Sequence, residues 1–180
     1  MAKKTDKNDE NSANDENIGT VPQAPLLIHK QYLKDMSFEN PNAPDILQRV
    51  PDRPLMDMNV MLDVQKLEHE THEHYYEVTL TLNATAKRED KTMFLAEIVY
   101  GAAVSVHGLE NKRHHPLLFI EVPRQIFPFA RQILGNITQS GGYMPLLVSP
   151  VDFQAMYLQR FAQEKAQIQE NDQNTPQKTA

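Results

Sequence analysis

Residues Gln125–Tyr157 read QIFPFARQILGNITQSGGYMPLLVSPVDFQAMY and hold two amphipathic helical patterns joined by an apolar loop. Phe129, Ala130, Ile133, Leu134 and Ile137 keep helical spacing, and Ser140-Gly141-Gly142 ends the run. The second pattern carries a start signal: Ser149 as N-cap, Pro150 in the first turn and Asp152 three residues after the serine. Phe153, Met156, Tyr157 and Phe161 supply its apolar stripe. Connecting segments normally run over the surface and are polar, yet Tyr143, Met144, Leu146 and Leu147 make this one greasy. Nothing in the stretch has the make-up of reaction chemistry, so it reads as a packing and holding device.

Immediately upstream, NKRHHPLLFIEV (Asn111–Val122) fits either a short helix or an extended connection. Pro123 and Pro128 suit a helical first turn and not an interior, so the main helix is expected to start near Pro128 or to kink there. The preceding part of the chain reads as strands. Leu55–Leu67 alternates cleanly: Met56, Met58, Val60, Leu62 and Val64 against Asp57, Asn59, Met61, Asp63 and Gln65. The tip EHETHEH (Glu68–His74) turns the chain into a returning strand marked by Tyr76, Val78, Leu80, Leu82, Ala84 and Ala86. After a charged turn, Thr92–Val106 is core-like at Phe94, Ala96, Ile98, Tyr100, Ala102, Val104 and Val106. Its other positions are also mostly apolar (Met93, Leu95, Val99, Ala103), broken by Glu97 and Gly101. Antiparallel sheets normally alternate apolar-in with polar-out. A strand greasy on both sides implies that its outer face meets something too.

A first strand, LLIHKQYLKDMSFE (Leu26–Glu39), puts Ile28, Tyr32, Met36 and Phe38 on one face. His29, Gln31, Asp35, Ser37 and Glu39 fall on the other, with Leu33 among them. Prolines end it at Asn40–Pro44, and a crossing segment, DILQRVPDRP (Asp45–Pro54), comes next with Ile46, Leu47 and Val50 in need of cover. Four strands and then two helices predict an α+β domain: a four-stranded antiparallel β-meander with both helices on one face.

The 180 residues suffice for one domain plus tails. Residues 1–24 and 163–180 are polar and predict a disordered N-terminal arm and C-terminal tail around a domain at 25–162. A net charge of -6 argues against nucleic acid and favours basic partners or plain solubility. With no cysteine there is no disulfide, thiol chemistry or cysteine-bound zinc. The polar start has no apolar signal segment, and no run has the length of a membrane span, so a cytoplasmic protein is expected.

Catalytic patterns are missing: no nucleophile elbow, phosphate-cradling glycine loop or H-E-x-x-H. Asp35 and Glu39 share a strand face about 13 Å apart, too far to share a proton. The histidines His69, His72 and His74 sit on one short turn, where a solvated polar tip is the simpler reading, so no metal is assigned. Neither catalytic residues nor a cofactor are expected. Two surfaces remain. One is the outer sheet face, where Asp35 and Glu39 are placed beside Leu95 and Glu97; it is either a partner site or an ordinary wet face. The other combines Ile46, Leu47 and Val50 with Tyr143, Met144, Leu146 and Leu147 as floor and walls of a groove, with Phe153 and Tyr157 beside it. Internal core or subunit contact would explain the same residues.

Several of these pieces resemble a known family. YLKDMSFENPNAP (Tyr32–Pro44), FLAEI (Phe94–Ile98), IFPFAR (Ile126–Arg131) and PLLVSPVDF (Pro145–Phe153) look like SecB, the bacterial protein-export chaperone family, in the right order across nearly all of the domain. The resemblance implies a homotetramer, a dimer of dimers, that binds unfolded precursor proteins along apolar grooves without ATP. It also implies delivery to the motor SecA, whose basic, zinc-carrying tail docks on Asp35, Glu39, Leu95 and Glu97. Ala96, Ile98 and Tyr100 match positions tied to tetramer assembly. The segment RVPDRP lacks an aromatic that many relatives carry, and EHETHEH departs from the family pattern. A rival reading is a small-ligand-binding or hydrolytic α+β enzyme using the inter-helix loop pocket.

Overall fold

The computed structural model describes residues 24–48 and 54–161. The two expected tails and Val50 of the crossing segment lie outside the described residues. Four antiparallel strands, β1 (Leu26–Glu39), β2 (Leu55–Leu67), β3 (Tyr75–Arg88) and β4 (Lys91–Val106), form one sheet in the order β1-β4-β3-β2. The last three make the meander. The first is returned to the β4 edge, which is why a crossing segment separates it from β2, and gives Greek-key order.

Cross-strand pairs show which residues share a face. Val78, Leu80, Leu82, Ala84 and Ala86 of β3 pair with Ala102, Tyr100, Ile98, Ala96 and Phe94 of β4, and all are buried beneath the helices. The alternate set, including Thr79, Thr81, Asn83 and Thr85 opposite Gly101, Val99, Glu97 and Leu95, forms the outer face.

The faces of β1 differ from the expectation. Two register shifts, between Ile28 and Lys30 and between Leu33 and Asp35, each insert a residue and flip the side chains beyond it to the other face. Gln31 and Leu33 therefore turn to the helix side opposite Ala102 and Tyr100, and Tyr32 turns outward opposite Gly101. Asp35, Ser37 and Glu39 are outward, as the alternation implied.

The helical region starts earlier than predicted. A 3-10 turn (Asn111–Arg113), one α-turn (His114–Pro116) and a π segment (Leu117–Glu121) lead without a break into an α-helix at Val122–Ser140, the long helix. Pro123 falls in its first turn, where no N–H is needed, and the wider π register, with the Val122 N–H donating to the Leu117 carbonyl, comes immediately before it. Pro128 sits inside the helix rather than opening it. Val122, Ile126, Phe127, Ala130 and Leu134 bury one stripe against the sheet. The helix ends in a Schellman motif: the Tyr143 N–H reaches the Thr138 carbonyl, the Gly142 N–H reaches that of Gln139, and Gly142 supplies the positive φ of 89°.

The second helix covers 153–161. Asp152, not Ser149, is its N-cap: the Asp152 carboxylate accepts from the Ala155 N–H at 3.0 Å. Ser149 and Pro150 belong to the connection, which lies extended along the long helix.

Candidate functional site

The outer sheet face is built by β1 and β4 together. Glu39 pairs with Leu95, Ser37 with Glu97 and Asp35 with Val99, so the three carboxylates surround two apolar side chains. The row through Leu95 continues across Thr85 to Asp57 on β2 and adds a fourth carboxylate. Among the described residues, no cation is paired with Asp35, Glu39 or Glu97. The patch is an anionic surface in which Leu95 and Val99 flank Glu97, suited to a basic segment that carries an apolar residue. Sequence alternation found Asp35, Glu39, Leu95 and Glu97. It did not find Val99 or Asp57, whose places are set only by the register.

Farther along the same face the charges are used internally. Lys34 donates to both carboxylate oxygens of Glu77 at 2.9 and 2.8 Å, and the Tyr32 hydroxyl donates to the first at 2.5 Å. These bonds, Lys34's first, hold the Glu77 carboxyl below the ordinary range despite the opposing push of burial. The Tyr32 hydroxyl is pushed up to about 12, mainly by burial and then by Glu77.

The second surface lies around the inter-helix loop. Tyr143 is a peg: its hydroxyl donates toward Asn40 Oδ1 at 2.8 Å and the Met93 carbonyl at 2.9 Å, and its ring packs 5.0 Å from Phe94. Buried Thr138 receives the Leu146 N–H at 3.0 Å, Arg131 donates to the Val148 carbonyl, and the loop backbone runs close over Gly135. Pinned this way, the loop turns Leu146 inward and leaves Met144 85% and Leu147 80% exposed. Leu47, from the crossing segment, is exposed beside Gly142.

Two residues expected in the groove are core instead. Ile46 is 6% exposed and Phe153 1%, the latter edge-on to Phe127 at 5.8 Å. They support the surface without forming it. Tyr157 is half-buried among Phe119, His115 and Phe161, with its hydroxyl 3.1 Å from His115 Nδ1. The concavity beside the crossing segment, about 570 Å³, is lined by Asn42, Asp45, Gln48, Arg88, Glu89 and Lys91 among others and is polar rather than greasy.

The comparisons with known proteins agree with one another. The family described as "Preprotein translocase subunit SecB" matches residues 20–164. This chain belongs to the SecB family. The "Protein-export protein SecB" of Agrobacterium fabrum is 44% identical over 144 residues, covering 80% of this chain and 88% of the relative. That of Sinorhizobium fredii is 45% identical over 154 residues (85% and 90%), and that of Granulibacter bethesdensis 40% over 154 (81% and 89%). Among solved structures, the SecB-like chaperone Rv1957 of Mycobacterium tuberculosis, in complex with a peptide from the HigA1 antitoxin, superposes with a TM-score of 0.55. It covers 71% of this chain and 91% of its own at 13% identity, which is a likeness of fold.

Within the SecB fold, Ala96, Ile98 and Tyr100 are all buried under the long helix. Tyr100 stacks on Phe129 at 6.2 Å, and Phe129 itself is exposed. Leu33 and Met36, on the same side of β1, are exposed as well. The helix thus leaves an apolar margin uncovered next to the three residues. No helix among the described residues is long and apolar enough to cross a membrane.

Proposed function

We propose that this SecB-family chain works in protein export as an ATP-independent chaperone, holding precursor proteins unfolded and handing them to SecA. The observation that carries the reading is the inter-helix loop, whose pinned backbone presents Met144 and Leu147 almost wholly to solvent with Leu47 alongside. An unfolded chain offers many short apolar stretches. Burying one Leu- or Met-sized side chain yields about 1.5–3 kcal/mol gross, and association costs consume much of that. One anchor is weak. Several such surfaces on one oligomer raise the local concentration of anchors and give tight but sequence-tolerant holding. Flexible Met-bearing walls re-pack around different clients. A homotetramer, a dimer of dimers, supplies that multiplicity. The apolar margin left exposed at Leu33, Met36 and Phe129 supports it as a surface for a second subunit to cover, with Ala96, Ile98 and Tyr100 acting through the helix they carry. The client surface comprises Leu47, Met144, Leu147 and Tyr157, buttressed by Tyr143, Leu146, Ile46 and Phe153.

Holding without nucleotide needs a partner to take the client off. The anionic patch of Asp35, Glu39 and Glu97 around Leu95 is read as the dock for the basic tail of SecA: Coulomb attraction speeds the encounter and weakens with salt, and Leu95 supplies the part that salt does not screen.

The test is the aggregation of a denatured client at near-stoichiometric tetramer and without nucleotide, monitored by light scattering with and without SecA tail peptide. Suppressed aggregation is expected, together with a tetramer mass by native mass spectrometry. A monomer, or aggregation at the unassisted rate, would overturn the reading.

A further inference from the structure

On the outer sheet face, the row that pairs Thr79 with Gly101 is followed by Glu77 with Ala103 and then by Tyr75 with Ser105. Ser105 points away from the helices and is nevertheless completely buried. Rings cover it, not an aliphatic layer. His29 comes from β1, Tyr75 opens β3, His107 follows β4, and the β2–β3 tip brings His69 and His72 over them. His72 is the hub: its ring centre lies 4.7 Å from His69, 4.8 Å from His29 and 5.5 Å from His107. It stacks on Tyr75 at 5.8 Å, and Tyr75 lies 4.5 Å from His69 and 5.3 Å from His29. All but Tyr75 are imidazoles, the side chain that changes charge nearest neutral pH.

We propose that His29, His69, His72 and His107 form a proton-operated latch, which clamps the β2–β3 tip over the outer sheet face while neutral and releases it in mildly acidic medium. The hydrogen bonds of the closed tip need unprotonated rings. Ser105 Oγ lies 2.8 Å from His29 Nε2 and 2.6 Å from His107 Nε2. The hydroxyl can donate to one of these nitrogens and accept from the N–H of the other. With both rings protonated, both Nε2 atoms carry hydrogen, and the buried hydroxyl loses the acceptor for its own. On the tip, His69 Nδ1 accepts from the Thr71 N–H at 3.3 Å, a bond that protonation of that nitrogen abolishes.

The surrounding charges offset little of this. Glu68, Glu70 and Glu73 are exposed to screening water, and Glu73 comes within 3.9 Å of His74, outside the cluster. Exposed Lys30, next to His29, adds positive charge. Among the described residues, none of the four rings is paired with a carboxylate. The His72 imidazole is held below its usual value, by desolvation first and then by His69, His29 and His107. A proton therefore binds the open tip, where His72 has its ordinary value of 6.5, better than the closed one. The clamp is at full strength above that value and weakens as pH falls through it. One histidine shifts the balance at most about tenfold by about pH 5.5. Opening loosens two backbone bonds beneath the rings, from the Val106 N–H to the His74 carbonyl and from the His107 N–H to the Pro25 carbonyl. The latch sits at the opposite end of β1 from Asp35 and Glu39, so it does not depend on what docks there.

The test is amide hydrogen exchange of the full chain by NMR at neutral pH and at about pH 5.5, with rates corrected for the intrinsic effect of pH. Protection at Thr71 and His107 should fall about threefold or more in acid, while Leu80 and Leu82 in the middle of β3 stay within about twofold. His72→Phe keeps a ring against Tyr75 and takes no proton, so its fall should be smaller. In the wild type, the His72 imidazole signals should titrate below 6.5, a readout that needs no variant to fold. Unchanged protection at Thr71 and His107, an equal loss at Leu80 and Leu82, an undiminished fall in His72→Phe, or a His72 midpoint at or above 6.5 would each overturn the proposal.

Discussion

The aromatic ring of Tyr32 occupies the space above Gly101, its partner across the β1–β4 register: a Cβ built on the glycine would stand 2.7 Å from Tyr32 Cε2. The bulge before Lys30 is what turns Tyr32 to this side, and the bare glycine lets the ring lie flat enough for its hydroxyl to reach Glu77. Gly101→Ala should push the ring off the sheet, break that hydrogen bond and cost about 1–3 kcal/mol by overpacking. A lower thermal midpoint in the variant, with much of the loss removed when Tyr32→Ala is combined with it, is the expected calorimetric result.

Glu77 links the same cluster to pH. Its folded pKa is depressed because Lys34 and then Tyr32 hydrogen-bond the ionised form. The stabilisation is therefore present above the unfolded carboxyl value and lost as pH falls through the lower folded one. Lys34 is 45% exposed, so water screens the pair and the contribution is about 1 kcal/mol. Urea midpoints should separate wild type from Glu77→Gln at neutral pH, and the gap should narrow as pH falls below the ordinary carboxyl range and through the depressed folded value.

Much of this could be read from the sequence because alternation is local. β2, β3 and β4 announce themselves through period-two runs, and the anionic patch arises from Asp35 and Glu39 falling on one face of β1 and Leu95 and Glu97 on one face of β4. The misreadings share a cause: one inserted residue or one capping choice that tertiary packing decides. The bulges of β1 exchanged the faces of Tyr32 and Leu33. The π segment let the helix begin ahead of Pro123, where a proline rule alone starts it at Pro128. Asp152 won the cap over Ser149 because Ser149 stays in the strap along the long helix. Nor does an apolar letter reveal whether it faces out. Leu146 and Leu147 are neighbours, yet only the Thr138 bond to the Leu146 N–H settles which one is presented. The meeting of His29 and His107 with the tip histidines depends on pairing between strands far apart in sequence.

Tyr143 tests whether the loop works as a rigid presenter. Tyr143→Phe keeps the ring against Phe94 and removes both hydroxyl contacts, to Asn40 and to the Met93 carbonyl. A loss of about 1–2 kcal/mol is expected, along with faster hydrogen exchange at residues 143–146. Unchanged exchange there would mean that the loop is held by Thr138 and Arg131 alone.

The exposed pair on that loop separates client holding from stability. Met144 and Leu147 contact little in their own chain, so replacing both with Ser should leave the thermal midpoint within a degree or two. The same double variant should require severalfold more tetramer to suppress aggregation of a denatured client. An equal change at Phe153→Ala would carry no such meaning, since Phe153 is core and its truncation should cost about 3–5 kcal/mol of stability.

Glu97 divides the two proposed surfaces most cleanly. It pairs with Ser37 on the outer face, midway between the rows of Asp35 and Glu39, and its side chain points away from the helices and from the loop that carries Met144 and Leu147. Glu97→Lys replaces an attraction for a basic tail with a repulsion, a swing of two charges at the centre of the patch, and leaves the core residues beneath it untouched. Calorimetry should show loss of SecA-tail binding, and the wild-type affinity should itself fall as salt rises because exposed charges carry it. Client holding should survive in the variant, since the apolar loop is unaltered. Unchanged tail affinity would reject the patch as the dock, and joint loss of tail and client binding would mean that the two surfaces are not separate.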